Sequence, residues 1–152
     1  MAIPRIKGLP VISGLPVKSL FKQPIFVDSS TGASDNDGKN PDHPVDSISN
    51  AFKKDRVAAN GLIVVLPGHS EDVTEANGIL CDIAGVHVLG LGEGSARPTI
   101  NFTTVVGADI EVDAANITFE NLKFDATGID ALTGPIDVDA ANFTLRNCEV
   151  LL

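Results

Sequence analysis

The chain has 152 residues, 43% of them hydrophobic, and a formal net charge of −9. This length and composition are sufficient for one domain with a core and exclude a disordered protein. Prolines at positions 4, 10 and 16 interrupt the N-terminal apolar runs, and no apolar stretch approaches eighteen residues. We therefore expect neither a signal peptide nor a membrane span.

The residue types favour β structure. There are 14 Gly and 9 Pro, no Trp or Tyr, and many Val, Ile and Thr residues. This composition is typical of short strands joined by frequent turns, so we expect an all-β protein. Cys81 and Cys148 both lie in alternating apolar stretches, and we interpret them as buried free thiols because two cysteines do not make a disulfide framework.

The charge is divided between two parts of the chain. Residues 1–27 contain four cations and no acid, whereas the remaining seven cations and twenty acids leave −13 on the rest. An acidic body repels phosphates, so we expect no nucleic acid partner for it.

Residues 1–27 form a predicted N-terminal arm, and residues 28–152 form the domain. The segment "KGLPVISGLPVKSL" repeats "GLPV", and its prolines favour an extended chain that does not fold alone. One interpretation is a disordered tail or a strap along the body; the other is an anchor that binds a partner. The residues assigned to the anchor are Leu9, Pro10, Val11, Leu15, Pro16, Val17 and Phe21, with Lys7, Lys18 and Lys22 facing an acidic partner surface.

A single amphipathic helix is predicted after a loop rich in Asp, Asn, Gly and Pro. In "PVDSISNAFKK", Val45, Ile48 and Phe52 recur at near-helical spacing, and Lys53 and Lys54 follow them. We expect a helix near residues 45–54 that covers the N-terminal end of the domain.

Strand-like runs then recur at intervals of 24, 31 and 26 residues, beginning at Gly61, Gly85, Asn116 and Asn142. This period matches one coil of a parallel β-solenoid with three short strands per coil. Alignment of the last two copies predicts two matched inward rows: Ile110, Val112, Ile117, Phe119, Leu122 and Phe124 over Ile136, Val138, Phe143, Leu145, Cys148 and Val150.

The same alignment makes predictions for corner and outward residues. Asparagines stack at two corners, where their amides can bond along the axis. Two opposite-charge pairs and one acidic face are also expected. The stacks are Asn116 over Asn142 and Asn121 over Asn147; the pairs are Glu120 with Arg146 and Lys123 with Glu149; the face is Glu111, Asp113, Asp137 and Asp139.

The motifs resemble the right-handed parallel β-helix of the pectin-lyase-like superfamily. The resemblance rests on "VDSSTGASDNDGKNPDHPVDSISNAF", "LIVVLPGHSEDV", "VLGLGEGSARPTINF" and "NITFENLKF". It implies a short β-helix of about four coils. The superfamily includes polysaccharide lyases and hydrolases as well as phage tailspikes and virion proteins that catalyse nothing, so the resemblance specifies the fold better than the function.

We expect no enzyme, no catalytic residue and no cofactor. The acidic face has no basic residue among its carboxylates, and the chain lacks the Trp and Tyr platforms that hold sugars. Those four carboxylates are only weak candidates for a cation, with a hydrated acidic face as the alternative. A glycan-binding or glycan-cleaving module, similar to a reduced tailspike, remains the competing interpretation.

The end of the sequence suggests assembly. Val150, Leu151 and Leu152 follow the last strand-like run, and an uncovered solenoid end exposes apolar side chains and strand edges. We expect a homotrimer in which a partner covers these residues, and we expect the arm to attach to a protein shell such as a phage capsid. The predicted location is the virion. Alternatively, the chain is part of a longer one whose coils continue past Leu152.

Overall fold

The computed structural model describes residues 23–152 in full and, before them, the backbone of residues 5–6, 9–12 and 15–16. Within these residues one short helix, α1, spans Ile48–Ala51, and a 3₁₀ turn spans Gly94–Ala96. The strands are β1 Arg5–Ile6, β2 Leu9–Ile12, β3 Leu15–Pro16, β4 Ile25–Val27, β5 Leu62–Val65, β6 Ser70–Val73, β7 Ile79–Cys81, β8 His87–Gly90, β9 Thr99–Phe102, β10 Ile110–Val112, β11 Thr118–Glu120, β12 Lys123–Asp125, β13 Ile136–Val138, β14 Thr144–Arg146 and β15 Glu149–Leu151.

Three parallel sheets contain the strands from β4 onward. Sheet 1 has the order β4-β5-β8-β11-β14, sheet 2 has β6-β9-β12-β15 and sheet 3 has β7-β10-β13. From β5 onward, each strand therefore pairs with the strand three elements along the chain. The protein is all-β with parallel sheets, and this strand order is compatible with a parallel β-helix. Strands β1, β2 and β3 form a separate, antiparallel sheet.

The predicted register of the last two repeats is confirmed. Ile110 pairs with Ile136, and Phe119 pairs with Leu145. Alternate residues of each strand point inward, so equivalent apolar side chains lie side by side in neighbouring strands about 4.8 Å apart. All six inward residues of the earlier repeat are buried: Ile110, Val112, Ile117, Phe119, Leu122 and Phe124.

The cysteine prediction is confirmed for one of the two thiols. Cys81 is a free thiol and fully buried, so its environment raises its pKa through loss of hydration and the charges of Asp82 and Asp113. Cys148 is also free but only half-buried, because it lies in the last strand-containing repeat, where one side of the core is uncovered.

The helix lies inside the predicted segment but is shorter than predicted. Ser47 has an extended backbone, with φ −149°, and its hydroxyl accepts a hydrogen bond from the Asn50 N–H, so α1 begins at Ile48. Val45 instead forms a parallel bridge with Val27. The segment before Ser47 thus continues the strand pairing of sheet 1 rather than adding a helical turn.

Asparagines with positive φ mark the corners between sheets. The φ angles of Asn116, Asn121, Asn142 and Asn147 lie between 50° and 64°. Asparagine tolerates this left-handed conformation better than other non-glycine residues. Gly85 has φ 75°, and a Cβ there would lie 2.1 Å from the Asn60 side-chain oxygen, so only glycine fits.

Candidate functional site

The last three strands form an uncovered layer. We call β13, β14 and β15 the last layer, and the side of this layer away from β10, β11 and β12 the uncovered face. Val138, Leu145 and Val150 occupy inward positions in it, yet they are 39%, 42% and 48% exposed. Their partners in the preceding layer are at most 1% exposed. The uncovered face is therefore an apolar core surface open to solvent.

The residues predicted to close this end take different positions. Val150 pairs with Phe124 and faces the core, whereas Leu151 pairs with Asp125 in an outward position and is half-buried. Leu152 is 87% exposed. The apolar part of the uncovered face consequently includes Val138 and Leu145, which the sequence placed inward without assigning them to the end.

The two predicted asparagine stacks are present. The Asn142 side-chain amide donates to the Asn116 side-chain oxygen over 3.1 Å, and Asn147 donates to Asn121 over 3.2 Å. Among the residues that the structure describes, nothing donates to the side-chain oxygen of Asn142 or Asn147. Each asparagine stack therefore ends at the last layer, where its final side-chain oxygen accepts no hydrogen bond from a described residue.

One of the two predicted charge pairs is confirmed. Arg146 Nη1 lies 3.3 Å from Glu120 Oε2, and 61% of the Arg146 side chain is exposed. Lys123 and Glu149 are neighbours in register, but Lys123 pairs with Asp125 at 3.2 Å. The predicted register is therefore correct at this position, but Lys123 forms its ion pair with a carboxylate two residues along the same strand, and Glu149 Oε2 lies 3.7 Å from Arg97 Nη1.

The four predicted carboxylates lie together on the outer surface of sheet 3. Glu111 pairs with Asp137, and the side-chain oxygens of Glu111, Asp113 and Asp139 all lie within 4.8 Å of one another. Loss of hydration raises the pKa of Glu111, and the hydrogen bond and charge of Asp113 and the charges of Asp137 and Asp139 raise it further. Oxygen ligands suit a hard cation such as Ca²⁺, but Asp113 and Asp139 are exposed, as in ordinary hydrated acidic faces.

A buried histidine and a partly buried glutamate join the helix to the sheets. Glu71 occupies an inward position of β6, beside Ile100, and its Oε2 accepts a hydrogen bond from the Ile48 N–H over 2.8 Å. His69 is 1% exposed, and its Nε2 lies 3.2 Å from the same oxygen. This contact was not predicted from the sequence. The missed signal was an acid at a position where the strand alternation requires an apolar residue.

Half of the residues assigned to the predicted arm lie outside the described residues. Leu9, Pro10 and Val11 belong to β2, and Leu15 and Pro16 belong to β3, each within the small antiparallel sheet. Its remaining assigned residues, Lys7, Val17, Lys18, Phe21 and Lys22, lie outside the described residues. Strand β2 pairs antiparallel with β1 on one side and with β3 on the other.

Comparisons of the chain with protein-family models, with curated protein sequences and with solved structures found no match. The resemblance to the pectin-lyase-like superfamily accordingly rests on the sequence motifs and the strand arrangement alone. No helix in the described part of the chain combines the length and the apolar character needed to cross a membrane.

Proposed function

We propose that this chain is a structural protein that assembles through its β domain and attaches to a larger particle through its N-terminal arm. The observation that carries the proposal is the uncovered face: Val138, Leu145 and Val150 are 39–48% exposed at positions that are fully or almost fully buried one layer earlier. Natural proteins cover such edges and apolar surfaces with a cap or a partner.

The fold we propose is a right-handed parallel β-helix of about four coils. From β5 onward, successive strands belong to sheets 1, 2 and 3 in turn, which supports a parallel β-helix. Connections between parallel strands of one sheet are right-handed in nearly all proteins, which supports a right-handed β-helix. The helix α1 and the bridge between Val27 and Val45 lie at the N-terminal side of sheet 1, opposite the last layer.

The proposed particle is a tailed-phage virion, in which the chain acts as a capsid decoration, cement or spike protein and forms a homotrimer. Support comes from the likeness of the sequence motifs to β-helices of phage spikes and from the charge division between a basic arm and an acidic body. Basic and apolar residues on an extended segment suit binding to an acidic protein surface. Virion proteins with this fold need no catalytic site.

Deletion of residues 2–22 tests the attachment. We expect the shortened protein to remain folded and associated, because residues from Ile25 onward make up the core of the part of the chain that the structure describes. We also expect it to stop sedimenting with particles from its host. A finer test reverses the charges of Lys7, Lys18 and Lys22, with reversal of the exposed Lys53 and Lys54 as the matched control. Unchanged sedimentation of the shortened protein with the particles would contradict the proposal.

A further inference from the structure

The uncovered face also indicates which surface covers it. Strands β13, β14 and β15 each stand last in their sheets, so their outer edges have no strand partner among the described residues. We infer that the uncovered face binds the same face of a second copy; this inference rests on the self-assembly proposed above. The two copies are related by a two-fold axis perpendicular to the direction in which the strands stack within each sheet. Such a contact is isologous and pairs the edge strands antiparallel.

Three arrangements of this kind are possible, because the axis passes through the middle of one of the three sheets. The strand on the axis then pairs with its own counterpart, and the other two strands pair with each other. With the axis through sheet 1, β13 lies against β15, which brings Asp137 and Asp139 to Glu149 of the second copy. With the axis through sheet 3, β13 lies against itself and its aspartates face one another. Like charges directly opposite destabilise both arrangements.

The third arrangement has no such conflict. With the axis through sheet 2, β15 pairs with its counterpart about Val150, which places Glu149 opposite Leu151. Strand β13 pairs with β14 of the second copy, and Asp137 can lie opposite Arg146. The symmetry repeats this opposite-charge pair, so the contact contains two. Arg146 is available because 61% of its side chain is exposed.

The register that pairs these charges also continues the core. In an antiparallel pair, setting Asp137 opposite Arg146 sets Val138 opposite Leu145, and both side chains point inward. Val150 meets Val150 of the second copy. The three most exposed inward side chains of the last layer thus become covered in one step. The contact joins two monomers, or two trimers if the three-fold assembly also forms.

Complementary charge variants test this contact. Asp137→Arg and Arg146→Asp each set like charges opposite one another in a homotypic contact, so we expect each purified variant to show half the wild-type mass by sedimentation equilibrium. Mixing the two variants restores both opposite-charge pairs, and we expect association to strengthen by about tenfold or more relative to either variant alone. Lys39→Asp, an exposed residue far from the last layer in sequence and sheet order, serves as the charge-reversal control.

The mixing experiment separates a contact between copies from an effect on folding, because Arg146 also pairs with Glu120 of its own chain. A wild-type assembly that neither single variant weakens overturns this contact and leaves the proposed self-assembly standing. Single variants that weaken association but gain nothing on mixing also overturn it. A monomeric wild-type protein contradicts both proposals. A natural protein heavier than 15.8 kDa, with further coils on this face, overturns the contact.

Discussion

Leu145 lies beside Phe119 in adjacent parallel strands, yet Leu145 is 42% exposed and Phe119 is fully buried. Phe119 has strand neighbours on both sides, Val88 and Leu145, whereas Leu145 has one on a single side. The ring of Phe119 also contacts Phe124 and Phe143, with centroids 6.0 Å and 5.6 Å away. Two residues at equivalent positions therefore differ in burial because no described strand pairs with the outer edge of the last layer.

Alanine substitutions at these two positions should separate core stability from assembly. Because its whole side chain is enclosed, Phe119→Ala should lower the free energy of unfolding by about 3–5 kcal/mol. Leu145→Ala should cost only about 1 kcal/mol in the unassociated chain, since much of the side chain is already hydrated. Urea denaturation at low protein concentration measures both. Equal losses would show that Leu145 is already covered within one chain.

The corner residue Asn121 should depend on its hydrogen bonds and on its backbone conformation. Its amide donates to the carbonyl oxygens of Gly90 and Gly92, both over 2.9 Å, and its φ is 57°. Asn121→Ala loses these bonds and strains the backbone, so we expect a loss of about 2–4 kcal/mol in unfolding free energy. Asn121→Gly removes only the side-chain bonds and should lose less. Thermal unfolding compares the two, and a glycine variant no more stable than the alanine variant contradicts the role of the positive φ.

The partly buried carboxylate of Glu71 should anchor α1 to sheet 2. Glu71→Gln leaves the shape nearly unchanged but removes the charge that accepts from the Ile48 N–H and lies beside His69. Hydrogen bonds to a charged group contribute about 1.5–3 kcal/mol, so we expect a loss of stability in that range. The exposed Glu93→Gln is the matched control. If both variants unfold at the same denaturant concentration, the proposed anchor is wrong.

The acidic face should make stability fall with rising pH over a defined window. The pKa of Glu111 is raised above its ordinary value of 4.5, so the folded state holds this proton more tightly than the unfolded state. The contribution of Glu111 protonation to the free energy of unfolding is fully present below pH 4.5 and is lost as the pH rises through the folded-state pKa of Glu111. Glu111→Gln should flatten this fall, as chemical denaturation at a series of pH values would show. An unchanged pH profile would mean that the neighbouring carboxylates do not act on Glu111.

Much of the strand arrangement follows from local pattern. Two features determine the register: the alternating apolar residues and the repetition of "IEVDAANITFENLKF" in "IDVDAANFTLRNCEVLL". A shift of one residue would turn every inward side chain outward. The asparagine stacks follow from the same alignment, since a fixed register places identical corner residues side by side. These features needed no knowledge of distant contacts.

The features that the sequence did not predict depend on which of several nearby groups a side chain contacts. Glu71 accepts a hydrogen bond from the N–H of Ile48, which lies 23 positions earlier in the chain. Lys123 forms an ion pair with Asp125 and not with the aligned Glu149. Alternation places a residue inward or outward but does not say which of several nearby partners it contacts. The start of the predicted helix was wrong for a similar reason, because the pairing of Val45 with Val27 competes with helix formation.

The solution mass of the 152-residue protein, measured by sedimentation equilibrium over a wide concentration range, tests the central claim most directly. The account predicts a species that is a multiple of 15.8 kDa and that dissociates when Leu145→Asp places a charge on the uncovered face. A single 15.8 kDa species at every concentration, unaffected by that substitution, would contradict it.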